Sequence, residues 1–84
     1  MQDYEYLFST ELHKRLKEKV KGKVWVKIYH DELHVNIIPD ENGELYEFVM
    51  TDMASRILNG LSTSYIVYDI LKAYRNYVNK QYFK

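Results

Sequence analysis

Between Ser62 and Phe83 apolar residues recur with helical spacing, and no other stretch restricts the fold as strongly. At about 100° per residue, Ala73, Ile66, Tyr77, Ile70, Tyr74, Val67, Val78, Leu71 and Tyr82 share one arc, broken only by Gln81. That arc covers roughly half of the circumference, whereas a helix resting on a single sheet uses a stripe of only about 100°. Arg75, Tyr68, Asn79, Lys72, Tyr65, Asn76, Asp69 and Lys80 lie opposite and form a solvated face. The excess arc therefore demands a second contact, either a helix of the same chain or another subunit.

The preceding chain offers an internal candidate. Phe8, Leu12, Leu16 and Val20 recur at every fourth position, with Leu7 beside them, behind a candidate cap at Asp3. Gly22 reads as the stop of this first helix. The lysines and arginine that fill its last turns suit the negative end of a helix dipole.

From Lys23 to Tyr29 the pattern changes to alternation, with Val24, Val26 and Ile28 on one face and Trp25, Lys27 and Tyr29 on the other. After His30, Asp31 and Glu32 it resumes as Leu33, Val35 and Ile37 against His34, Asn36 and Ile38, which predicts a β-hairpin that ends at Pro39. Asn42-Gly43 within Asp40 to Gly43 predicts a second tight turn, leading to a third strand over Glu44 to Met50. In that strand Tyr46, Phe48 and Met50 are expected to face the helices, although the pattern alone leaves the opposite phase open. Thr51 and Asp52 predict a short helix over Asp52 to Asn59 with Gly60 at its C′ position. Leu61 and Ile66 have the spacing of a hydrophobic staple at the start of the last helix.

The expected fold is α+β, a three-stranded antiparallel meander with helices packed on one face, in the order α-β-β-β-α-α. Residues 1–84 are expected to form one small domain, of a size that buries about 60–65% of the surface its unfolded chain exposes. The chain has no cysteine, so there is no disulfide framework and no thiolate metal site. No apolar run approaches the length of a membrane span, and the first residues carry neither a basic nor an apolar leader pattern. A cytoplasmic protein without membrane contact is expected.

The formal net charge is zero, but it is assembled from blocks. Residues 13–27 hold Lys14, Arg15, Lys17, Lys19, Lys21, Lys23 and Lys27 against Glu18, while residues 28–55 hold Asp and Glu with no Lys or Arg. Segregation of this kind governs steering and partner choice rather than fold.

Candidate chemistry is sparse. The segment from His30 to His34 has metal-ligand residue types without the ligand spacing of helical zinc motifs, and it sits at a predicted turn. No nucleophile elbow, phosphate-cradling glycine loop or activated cysteine is present, and Asp40, Glu41, Glu44 and Glu47 cluster around a turn with no water-excluding pocket in prospect. Catalysis, a cofactor and a metal are therefore not expected.

Nucleic-acid contact has more support. Lys14, Arg15, Lys17, Lys21, Lys23 and Lys27, beside Trp25 and Tyr29, combine phosphate-binding charge with stacking surfaces. In element order the chain resembles the double-stranded RNA-binding domain, which runs α-β-β-β-α. The resemblance spans most of the chain and is one of topology. Ser62-Thr63-Ser64-Tyr65 stands where that family has a lysine cluster, and the family's Gly-Pro-x-His loop is missing. The resemblance implies RNA binding.

If the helices cover one face of the meander, Trp25, Tyr29, Ile38, Leu45 and Val49 lie on the other. Aromatic side chains on a half-exposed sheet are a mark of protein interfaces, whereas Lys27, His34 and Glu47 are placed to shield them. We expect a non-enzymatic protein-interaction domain, a homodimer or the binder of another protein. Inhibition of a host nuclease by the acidic stretch, as a nucleic-acid mimic, is a variant of it. Abundant Tyr, Lys, Asn and Ile match AT-rich codons, so a bacterial phage or mobile-element accessory protein is the expected setting.

Overall fold

The structure, a computed structural model, describes residues 3–39 and 45–82. Its elements are α1 (Asp3–Lys19), β1 (Gly22–Tyr29), β2 (Glu32–Pro39), β3 (Tyr46–Met50), α2 (Met53–Leu58) and α3 (Thr63–Tyr82). The strands form one antiparallel sheet in the order β1-β2-β3. The expected α+β meander and its element order are those observed.

The four-residue repeat of α1 is its packing stripe, since Phe8, Leu12, Leu16 and Val20 are all buried. They meet Val24 of β1 and Leu33, Val35 and Ile37 of β2 in a core completed by Met53, Ile66, Val67 and Ile70. Tyr46, Phe48 and Met50 pack against this cluster, so the phase expected for β3 is the one adopted, and Glu47 and Val49 face away. α1 lies on β1 and beside α3, which also touches β3. The wide arc of α3 is thus shared between a helix and a sheet. Ile66, Val67 and Ile70 are buried, Leu71 and Tyr74 pack at the core margin, and Tyr65 and Tyr68 are exposed. Farther along, Tyr74 and Tyr77 bring their rings to within 5.6 and 5.1 Å of Tyr46, whose hydroxyl is pushed above its ordinary pKa by burial. The Asn42-Gly43 turn and the side chains of Asp3 and Tyr82 lie outside the described residues.

Several connections depart from local expectation. Gly22 does not close α1, which ends at Lys19; it opens β1 with φ of 141°. Pro39 belongs to β2, paired with Gly22, because the described ladder to β3 ends at Ile37–Tyr46 and no N–H is required beyond it. The first hairpin turn has only two residues, His30 and Asp31, both left-handed at φ of 52° and 60°. That is the geometry of the tight hairpin turn that usually calls for Asn-Gly.

A distant contact holds this unusual turn. Asp52 is left-handed and makes no side-chain cap, so neither it nor Thr51 caps α2. Instead the Asp31 carbonyl accepts the Met53 N–H at 3.1 Å, and its carboxylate accepts the Ala54 N–H at 2.7 Å. The far end of α2 closes as expected around Gly60, with Gly60 N–H donating to Ile57 and Leu61 N–H to Arg56. Ser62 then caps α3, accepting the Tyr65 N–H at 3.2 Å. Thr63, which is buried, donates its hydroxyl to Glu11 at 2.6 Å and ties α3 to α1.

Asp31→Ala is expected to cost about 0.5–2 kcal/mol, the usual loss of an N-cap side chain. Asp31→Asn keeps both the acceptor and the tolerance for positive φ, and is expected to stay near wild type. Urea denaturation of the pair checks this, and equal losses would show that the carboxylate contact carries no stability.

Candidate interaction surface

With helices on one face, the sheet presents its other face to solvent. Trp25, Tyr29, Leu45 and Val49 are 49%, 44%, 54% and 47% exposed, and Ile38 is half-buried among them. Register orders them into cross-strand rows of Lys23–Ile38, Trp25–Asn36–Glu47, Lys27–His34–Val49 and Tyr29–Glu32. Continuing the β2–β3 register by one residue sets Leu45 beside Ile38.

The five candidate residues therefore do not form one uniform patch. At the turn end, Tyr29 stacks on His34 with ring centroids 4.7 Å apart, His30 approaches its edge, and the Lys27 ammonium lies 5.1 Å from its centroid. His34 Nε2 donates to Glu32 at 3.2 Å, and Nδ1 lies 4.0 Å from Glu47. Tyr29 thus belongs to a locally satisfied cluster, while Val49 stands beside His34 in register and remains exposed. At the opposite end Trp25, Ile38 and Leu45 make a diagonal apolar corner with no helix above it.

The basic block divides as well. Arg15 turns to Glu11 at 3.8 Å on the α3 side of α1. Lys17 reaches the other way, donating to the Gly22 carbonyl at 3.1 Å, which gathers Lys17, Lys21 and Lys23 around the start of β1. Lys14 is the i−3 neighbour of Lys17 on the same helix and is exposed. Lys27 stands farther along β1 beside Trp25. The acidic stretch is scattered: Asp31 binds α2, Glu32 and Glu47 face His34, Asp52 is separate, and Asp40, Glu41 and Glu44 lie outside the described residues. Among the described residues, no three His, Cys, Asp or Glu side chains are grouped to hold a metal ion, and no helix is long and apolar enough to cross a membrane.

Three strands leave two open edges, as the sequence implies, but sequence reasoning missed how α1 partly covers the edge of β1. His13 Nε2 donates to the Val24 carbonyl at 2.9 Å, beside the Lys17 bond to Gly22. The spacing of His13 and Lys17 was legible, but it acquires this meaning only once α1 is known to run antiparallel to β1. A groove of about 920 Å³ opens beyond His13, between α1 and the strand, and runs onto the outer face as far as His34, Asn36 and Glu47.

Compared with known protein families, with curated proteins and with solved structures, the chain matches none of them.

Proposed function

We propose that this chain is a non-enzymatic protein-interaction domain that holds a protein partner, most simply a second copy of itself, on the outer face of its sheet. The observation that carries this reading is the corner of Trp25, Ile38 and Leu45. Trp25 and Leu45 are about half exposed there beside Ile38, and their neighbours Lys23, Asn36 and Glu47 supply the polar rim common around an apolar contact. An accessory role in a phage or mobile element, in a cytoplasmic setting, rests on composition alone and belongs to the same proposal.

Light scattering over a concentration series tests self-association. The expected mass rises toward that of a dimer, and Leu45→Glu with Ile38→Glu returns it to a monomer with unchanged circular dichroism, since both side chains point away from the core. A strict monomer at the highest concentration removes the homodimer.

Nucleic-acid binding is the second reading, favoured by the gathering of Lys17, Lys21 and Lys23 near Lys27 and Trp25. Glu32 and Glu47 on the same face oppose it by repelling phosphate. A mobility shift with RNA or DNA at low salt would favour this reading, and the interaction reading expects none.

A further inference from the structure

We propose that the open edge of β1, beside the N-terminal half of α1, takes an extended acidic peptide segment of a partner protein as a fourth strand. The proposal rests on the protein-interaction reading, and its groove shares Trp25, Lys27, Tyr29, His34, Asn36 and Glu47 with the outer face.

The hairpin decides which backbone groups are open. A two-residue loop makes Tyr29 and Glu32 a hydrogen-bonded pair, and antiparallel pairs alternate, so Lys27, Trp25 and Lys23 bond to β2. Ile28, Val26, Val24 and Gly22 then point their N–H and C=O groups away from the sheet. The bonds from His13 to Val24 and from Lys17 to Gly22 agree with this assignment.

Those two bonds also show how α1 guards the edge. Four helical residues rise about 6 Å and two strand residues advance about 6.6 Å, so side chains four apart on α1 match carbonyls two apart on β1. The next pair would be Ser9 with Val26, but the Ser9 hydroxyl turns back to the Tyr6 carbonyl at 3.1 Å. From there the helix and strand part. Val26 and Ile28 are only half-buried where Val24 is buried, and the groove lies between Tyr6, Thr10 and His13 on one side and Trp25 and Tyr29 on the other. No described hydrogen bond outside the ladder reaches the amides or carbonyls of Val26 and Ile28. An added strand would satisfy both pairs.

Charge selects the occupant. It is graded along this edge: Lys17, Lys21 and Lys23 gather beyond one end of the groove and Lys27 lines its middle, whereas Glu5 lines the far end and Glu47 the rim on the outer face. Acidic residues are therefore favoured only toward the Lys17 end. A second copy paired edge to edge about Lys27 would set Lys27 against its own equivalent, and like charges directly opposite are destabilising. A phosphate backbone meets the lysines but has no N–H to give the two open carbonyls. A peptide bearing Asp or Glu toward the Lys17 end supplies both the charge and the donors.

Random short peptides displayed on phage and panned on the immobilised full chain test the proposal. Enrichment of acidic residues among β-branched ones is expected. The enriched peptide, made synthetically, should slow amide exchange at Val26 and Ile28. It should bind about tenfold or more weakly to Lys17→Glu/Lys23→Glu. Val26→Pro, which removes an N–H facing the groove and none in the ladder, should abolish binding with the fold intact by circular dichroism. If that variant unfolds, the charge reversal and amide exchange decide. The proposal is overturned by no enrichment over bare support, by enrichment of basic peptides, by unchanged exchange at Val26 and Ile28, or by oligothymidylate that protects these same amides. Dimerisation that persists while peptide binding fails removes the edge site alone. Peptide binding that survives Leu45→Glu in a chain that never dimerises removes the outer-face reading alone.

Discussion

Leu12→Ala is expected to lower the unfolding free energy by about 2–5 kcal/mol, the range for truncating a fully enclosed leucine. Leu12 has no exposed surface and lies at the middle of the α1 stripe, among residues of α1, the sheet and α3. The removed atoms lose their transfer energy, and the cavity they leave adds to the cost. A domain of this size has a total stability near the low end of about 5–15 kcal/mol, so the loss is a large part of the whole. Leu7, five positions back, is 66% exposed on the same helix, and Leu7→Ala is expected to change stability by no more than about 0.5 kcal/mol. Urea denaturation of the two variants checks the orientation of α1 directly. Similar midpoints would mean that the stripe of Phe8, Leu12, Leu16 and Val20 does not face the sheet.

The second large effect is expected at Gly22. A Cβ there would overlap the Ile38 carbonyl oxygen and sit 3.0 Å from the Pro39 Cα, both backbone atoms that no rotamer change can move. Its φ of 141° adds strain of about 1–3 kcal/mol for any residue with a side chain. Gly22→Ala is therefore expected to cost more than that strain alone and to pull apart the Gly22–Pro39 end of the hairpin. Gly60 is the internal comparison, with φ of 99° and nothing within 4 Å of an added Cβ. Gly60→Ala should cost only its local strain, roughly 1–2 kcal/mol. Thermal and urea unfolding of both variants measure the difference, and equal losses would mean that the close approach at Gly22 is absent.

What the sequence disclosed and what it concealed follow from how far each interaction reaches along the chain. The stripes of α1 and α3 and the alternation in β1 and β2 are periodic, and burial enforces periodicity residue by residue, so each can be read within its own segment. Gly60 was legible for the same reason, since it closes α2 within a few residues. Asp31 was not, because its carboxylate serves an amide 23 positions away, and only the folded hairpin brings the two together. Gly22 was noticed as a glycine but given the wrong task. Its constraint comes from Ile38, across the sheet, rather than from the helix that precedes it. The outer face was legible as five positions, yet its division into a satisfied aromatic cluster and an open corner depends on cross-strand register. The open edge belongs to the same class, since it is defined by where α1 stops following β1.

The partial cover that α1 gives β1 also sets a length. A fully bare edge invites repeated addition of like strands, and fibril-forming segments run to about six or seven residues. Here His13 and Lys17 occupy the carbonyls at one end, leaving the stretch from Val26 to Ile28 before the turn. The helix therefore works as a ruler: a short visitor fits against the remaining span, while a long one would have to break two bonds to continue. A domain with an exposed strand can in this way admit a brief guest and still refuse the endless stacking that exposed strands promote.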